Sequence, residues 1–215
     1  MPHILFANLP LLLHGASITL GVSAVAVVLA SLFGMLAALG RLYGGMVARV
    51  LALLYLYLMR GMPLLVMVFA AYYVLPYAGI DVDPTTGGTL VVGLYFGAYM
   101  SEVFRAALAS VPRGQWDAGR ALGMYGRRMM WLVVLPQALR LAGPPFVNTC
   151  IMLIKGTSLI SVIGLAELTM TGREVVERTF APFQVFAGVA LIYLVICYVL
   201  SLCGRALEAR LPHAH

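Results

Sequence analysis

Charged side chains are scarce. Asp, Glu, Lys and Arg make up only 10% of the 215 residues, and Lys155 is the single lysine. A soluble domain usually carries about 25% charged residues and about 45–50% apolar ones. Here 62% are hydrophobic, a surplus that one soluble core of this size could not hide. A soluble enzyme, a disordered tail and a nucleic-acid binder are therefore poor readings, and no nucleic-acid partner is expected. Cysteine is sparse too. Cys150, Cys197 and Cys203 sit in apolar stretches without metal-ligand spacing, and an odd number argues against a disulfide framework. They read as small packing residues. Met1 to Leu13 holds no Lys or Arg, so it lacks the basic region of a cleavable signal peptide.

What is present is a series of long apolar runs. A helix needs about 20 apolar residues to cross about 30 Å of hydrocarbon. The composition predicts an all-α, polytopic membrane protein, one domain over residues 1–215, with about five spans: 17–39, 50–76, 89–110, 145–168 and 181–204. Part of Leu9–His14 is expected along the interface, ahead of the first span. Small residues such as Gly21, Ala24, Ala30 and Gly34 suit close helix packing in lipid. No internal repeat is evident.

The loops differ in charge. Segments 40–50, 111–143 and 204–215 hold Arg41, Arg49, Arg113, Arg120, Arg127, Arg128, Arg140, Arg205 and Arg210. Segments 1–13, 77–88 and 169–180 hold only Arg173 and Arg178, with Asp81, Asp83, Glu174 and Glu177. The positive-inside rule then places the N-terminus outside and the C-terminus in the cytoplasm. The net charge of +6 is thus a topological signal.

The connection 111–143 is long for a helical bundle, and such connections tend to be functional. Pro112 suits a first helical turn. Residues 115–122 are expected to form a short helix stopped by Gly123, and residues 127–135 a second, amphipathic one ended by Pro136. Within it, Asp117-Ala118-Gly119, three residues, Gly123, nine residues, then Val133-Val134-Leu135-Pro136 resemble the "EAA loop" of ABC-transporter permeases. That pattern reads Glu-Ala-Ala, three residues, Gly, nine residues, Ile, any residue, Leu-Pro. Asp117, Gly119 and Val133 depart from it. Gly119 costs up to about 1 kcal/mol of helix propensity relative to Ala, which leaves the short helix more dependent on docking.

The resemblance extends to His14–Leu20, Arg60–Leu65, Ala98–Glu102, Val111–Gln115 and Lys155–Leu159, and spans about residues 14–205. These segments are similar to the polar-amino-acid branch of importer permeases in bacterial inner membranes. The resemblance implies two permeases, identical or related, with two ATP-binding cassette subunits beneath them and a substrate-binding protein outside. Its coupling residues would be Trp116, Asp117, Ala118, Gly119, Gly123, Leu135 and Pro136. From the pattern alone, an amphipathic segment resting on anionic lipid, with its arginines on head groups, reads equally well.

No Gly-x-x-x-x-Gly-Lys-Ser/Thr sequence, His-Glu-x-x-His motif or Ser/His/Asp set is present, so ATP hydrolysis must come from another subunit and no cofactor is expected. An autonomous channel or carrier is the competing class, disfavoured by the missing repeat. Charges within spans usually face a bundle or cavity. Arg60, Glu102, Thr149, Lys155, Thr157 and Ser158 are the candidate pathway residues. Each has a plainer reading. Arg60 suits a snorkelling anchor, Glu102 suits neutralisation by Arg105 three residues on, and the hydroxyls suit back-bonding to their own helix. Gly156 is expected to loosen the fourth span. Residues 141–166 contain no Asp or Glu, so the chain is expected to favour a neutral or acidic amino acid over a cationic one.

Overall fold

The computed structural model describes residues 2–209. Met1 and the residues from Arg210 on lie outside the described residues, so Arg210 of the cytoplasmic arginines has no structural account. Every regular element among the described residues is helical. Three helices are long and apolar enough to cross a membrane, or four if one bent pair counts as a span.

The first helix, α1 (Pro2–Tyr43), runs unbroken for 42 residues. At 1.5 Å per residue it is about 63 Å long, twice the hydrocarbon thickness. The separate interfacial segment expected at Leu9–His14 is therefore corrected. Pro10 removes one ladder hydrogen bond, but in apolar surroundings the neighbouring backbone groups have no better partners than their own helix.

The next run breaks where Gly61 and Pro63 place it. Helix α2 (Met46–Gly61) and the segment Leu64–Ala78, which opens with α3 (Leu64–Phe69), meet at 103°. Proline cannot continue the ladder, and Met62 before it is extended at φ −114°, ψ 144°. Helix α4 (Pro84–Ala109) starts at Asp83, whose carboxylate accepts the Thr86 N–H at 3.0 Å. That hydrogen bond holds the exposed Asp83 carboxyl below the usual carboxylate range.

Helices α1 and α4 form the centre of the bundle. A Cβ added at Gly34 would come within 2.7 Å of Met100 Cβ and 2.8 Å of the Gly97 carbonyl. Only glycine allows this approach, and Ala26 and Ala30 continue the seam, both fully buried. Gly21 and Ala24, expected on that seam, are instead exposed. Val92, Phe96, Met100 and Phe104 complete the core from α4.

Beyond α4 lie α5 (Arg113–Ala121), the short α6 (Gly126–Met129), α7 (Leu135–Gly156), α8 (Leu168–Thr179) and α9 (Pro182–Ala209). Pro136 does not end a helix, contrary to expectation. Residues 126–163 form one continuous helical rod, so the second loop helix and the fourth span are one element. The reason is a wide turn at Met130–Val134, where the Leu135 N–H reaches back five residues to the Met130 carbonyl. Proline lacks an N–H, and its ring presses on the carbonyl four residues back. A widened turn relieves that clash. The same device precedes Leu75-Pro76, where the Leu75 N–H bonds Ala70 O. The expected loosening at Gly156 is corrected: the glycine stays helical at φ −63°, ψ −28°, and the rod winds tighter after it, into a 3-10 stretch, Thr157–Ile163.

Candidate functional site: a short capped helix and an arginine-rich pocket

Helix α5 is set by its ends. The Gly123 N–H bonds Arg120 O and the Met124 N–H bonds Gly119 O, both at 2.9 Å. This pair of bonds closes the helix around Gly123 at φ +73°, a left-handed turn that other residues adopt only with strain. The glycine stop read from the sequence is therefore a backbone requirement. Gln137 Nε2 donates to Gln115 Oε1 at 3.1 Å and to Val133 O at 3.0 Å, which ties α5 to α7.

The helix divides cleanly. Trp116 is half-buried and Gly119 buried, both turned to the bundle, and Met129 covers Gly119. Asp117, Ala118, Arg120 and Leu122 are exposed. Asp117 is bonded to Arg120 Nη1 at 3.2 Å on the same helix. Leu135 is half-buried and Pro136 exposed, both at the joint where the wide turn passes into α7. The seven expected coupling residues thus fall on one end of the molecule. A cavity of about 410 Å³ lies between α5 and the end of α1, lined by Leu39, Tyr43, Trp116, Met124 and Met129.

The second feature is centred on Glu102. Its Oε1 takes Arg41 Nη1 at 2.6 Å and its Oε2 takes Arg105 Nε at 2.8 Å. Arg60 Nη1 stands at 3.6 Å from Oε1, and its guanidinium lies 5.5 Å over the Tyr99 ring. The expected Glu102–Arg105 pair forms, but it is only part of the cluster. Arg41 had read as a loop charge, and the crossing of α1, α2 and α4 brings it in. The adjoining cavity is about 440 Å³, walled by Leu53, Leu56 and Tyr57 as well as Arg41, Arg60, Tyr99 and Glu102.

The remaining candidates lie on the rod. Thr149 Oγ1 donates to Pro145 O at 2.8 Å, Thr157 Oγ1 to Ile154 O at 2.7 Å and Ser158 Oγ to Lys155 O at 2.7 Å. These hydroxyls are bonded to their own backbone, while Lys155 is exposed. Arg60 and Glu102 are brought together; no hydrogen bond or ion pair among the described residues joins them to these four.

One polar residue went unread in the sequence. Glu167 is fully buried, accepts the Met170 N–H at 2.9 Å and the Tyr193 O–H at 2.7 Å, and lies 3.4 Å from Thr19 Oγ1. Thr19 also takes the Leu168 N–H at 3.1 Å. The network joins α1, α8 and α9. The available signal was an acidic residue at the edge of an apolar span, one position beyond the acid-free stretch.

A bundle of long apolar helices with a short capped helix at the arginine-rich end is the architecture of an integral membrane protein. The family of "binding-protein-dependent transport system inner membrane component" proteins matches residues 30–213, and the chain belongs to that family. It is a multi-pass inner-membrane permease that works with ABC-transporter partners. The glutamine transport system permease protein GlnP of Escherichia coli (strain K12) is 39% identical over 205 residues, 94% of either chain. The L-cystine transport system permease protein TcyB of Bacillus subtilis (strain 168) is 36% identical over 203 residues, 94% of this chain and 87% of the relative. A crystal structure of an amino acid ABC transporter with histidines superposes with a TM-score of 0.91 at 30% identity, covering 96% of this chain and 97% of that one. The inward-facing methionine ABC transporter MetNI shares the fold, with a TM-score of 0.80 at 16% identity.

Proposed function

We infer that this chain is the permease subunit of an ATP-driven importer of polar amino acids, moving its substrate by alternating access. The observation that carries the reading is α5, a short capped helix that offers Asp117, Ala118 and Leu122 outward while Gln115 is bonded to Gln137 of α7. A push on such a helix passes to the spans. The named substrates of the relatives, glutamine and cystine, support an amino acid as cargo.

The chain has no motor of its own, and two ATP-binding cassette subunits dock on α5. A second permease copy, identical or related, completes the pathway, and an extracytoplasmic binding protein docks on loops 77–88 and 169–180. Helix α4, 26 residues and about 39 Å long, completes five spans with the apolar segments. The N-terminus is outside and the C-terminus cytoplasmic. Arg60, Glu102, Thr149, Lys155, Thr157 and Ser158 line the pathway, which favours neutral or acidic amino acids because no carboxylate on the rod meets a cationic side chain. Reconstituted complex should take up labelled glutamine only with ATP and binding protein, and glutamate should compete better than arginine. Uptake without any co-purified ATPase, or competition by arginine alone, would overturn this reading or its charge preference respectively.

A further inference from the structure

The Glu102 cluster carries more positive charge than its carboxylate can balance. Three guanidiniums meet one carboxylate, which leaves an excess of two positive charges beside the 440 Å³ cavity. The three are not equivalent. Arg41 and Arg105 make the short contacts and hold both oxygens of Glu102. Arg60 stands beyond hydrogen-bond distance of that carboxylate, and its side chain is 44% exposed. It occupies the last turn of α2, where the chain breaks, with its guanidinium over the Tyr99 face. Its guanidinium makes no hydrogen bond to Glu102, and the residue lines the cavity.

We propose that this pocket is an exit-side subsite for the α-carboxylate of the transported amino acid, with Arg60 as the contacting residue. The inference rests on the amino-acid reading above and deepens it. A guanidinium fork matches a planar carboxylate through two parallel hydrogen bonds, and stacking on Tyr99 orients the fork. The α-ammonium is drawn toward Glu102, the nearest anion. Leu53, Leu56 and Tyr57 offer an apolar wall for the rest of the side chain. A cationic side chain would enter an excess of positive charge, which gives the neutral-or-acidic preference a second physical basis. The arginine asymmetry of the loops places this end in the cytoplasm, so the subsite is met on the way out.

An anionic lipid headgroup would satisfy the same donors, and the experiment separates the two sources. The full complex is placed in nanodiscs of phosphatidylcholine, with or without phosphatidylglycerol, and modified with phenylglyoxal. Labelling at Arg60 is read by peptide mass spectrometry with L-glutamine, L-glutamate or L-glutaminamide present. Arg60 should react faster than Arg41. Glutamine or glutamate should protect it, about two-fold at half occupancy, and glutaminamide, which lacks the carboxylate, should protect it far less. Equal protection by the amide overturns the proposal. So does protection by phosphatidylglycerol alone, or an Arg60 that does not react. Wild-type complex that imports glutamine without protecting Arg60 sinks this subsite and leaves the transport reading standing. Failure to import any amino acid sinks the transport reading itself. In uptake, Arg60→Lys should retain more activity than Arg60→Gln; equal loss in both would deny the charge a role.

Discussion

Gly119 of α5 lies directly beneath the thioether of Met129. A Cβ at that position would come within 2.5 Å of Met129 Cε and 2.6 Å of Sδ. Glycine stands here where the family pattern has alanine, and the tip of Met129 fills the space an alanine Cβ would take. The short helix does not simply forfeit propensity; it accepts a large buried side chain from the following turn. Gly119→Ala should gain about 1 kcal/mol of helix propensity and lose a similar amount by displacing the flexible Met129 end. In a Met129→Ala background only the gain remains. Thermal unfolding of all four combinations would reveal this coupling, and an identical Gly119→Ala effect in both backgrounds would refute it.

Gly123 should rank substitutions by backbone alone. Nothing lies within 4 Å of a Cβ there, yet φ is +73°. A bulky β-branched residue carries a left-handed penalty of about 1–2 kcal/mol or more, and asparagine less. Gly123→Val should therefore abolish uptake while the chain still inserts, with Gly123→Asn intermediate. Normal uptake and normal ligand-stimulated ATPase activity in Gly123→Val would remove α5 from the coupling path.

Glu167 should prove a keystone of the α1–α8–α9 junction. Glu167→Ala takes the side-chain acceptor from the Met170 N–H, while the Tyr193 O–H keeps Thr169 Oγ1 at 3.2 Å. An unsatisfied buried group costs about 1–3 kcal/mol. Tyr193→Phe removes one donor and should cost less. The measurement is the thermal midpoint in detergent together with amide exchange in α8. A Glu167→Ala protein as stable as wild type would show that the junction is held by Leu168 and Val175 packing alone.

Orientation is open to direct chemistry. In a cysteine-free background, single cysteines in loop 77–88 should react with impermeant reagents from outside, and cysteines at 124–128 only from inside. The reverse pattern would invert the whole topology.

Much of the architecture was legible in one dimension. Apolar run length, the break at Gly61 and Pro63, the stop at Gly123 and the positions of the basic loops all follow from local rules, because lipid forces each backbone group to bond within its own helix. Pro136 was misread for the same reason that it is informative. A proline ends a helix unless the preceding turn widens, and the widened turn at Met130–Val134 has no strong mark in the sequence. The merging of the second loop helix with the fourth span followed from that one turn.

Side-chain partnership was decided only in three dimensions. Arg41, Arg60 and Glu102 are far apart in the chain, and their meeting depends on how α2 crosses α1 and α4 after a short turn. Glu167 lay unremarked at the end of the expected fourth span. It became a buried acceptor only when α1 and α9 brought Thr19 and Tyr193 against it. The sequence by itself determined that this chain spans a membrane, which end is basic and where a short helix stops at Gly123, since burial and helix termination act over a few residues. Tertiary structure decided which charges share a pocket, because helix crossing angles depend on small-residue seams such as Gly34 against Gly97, whose geometry no local pattern encodes.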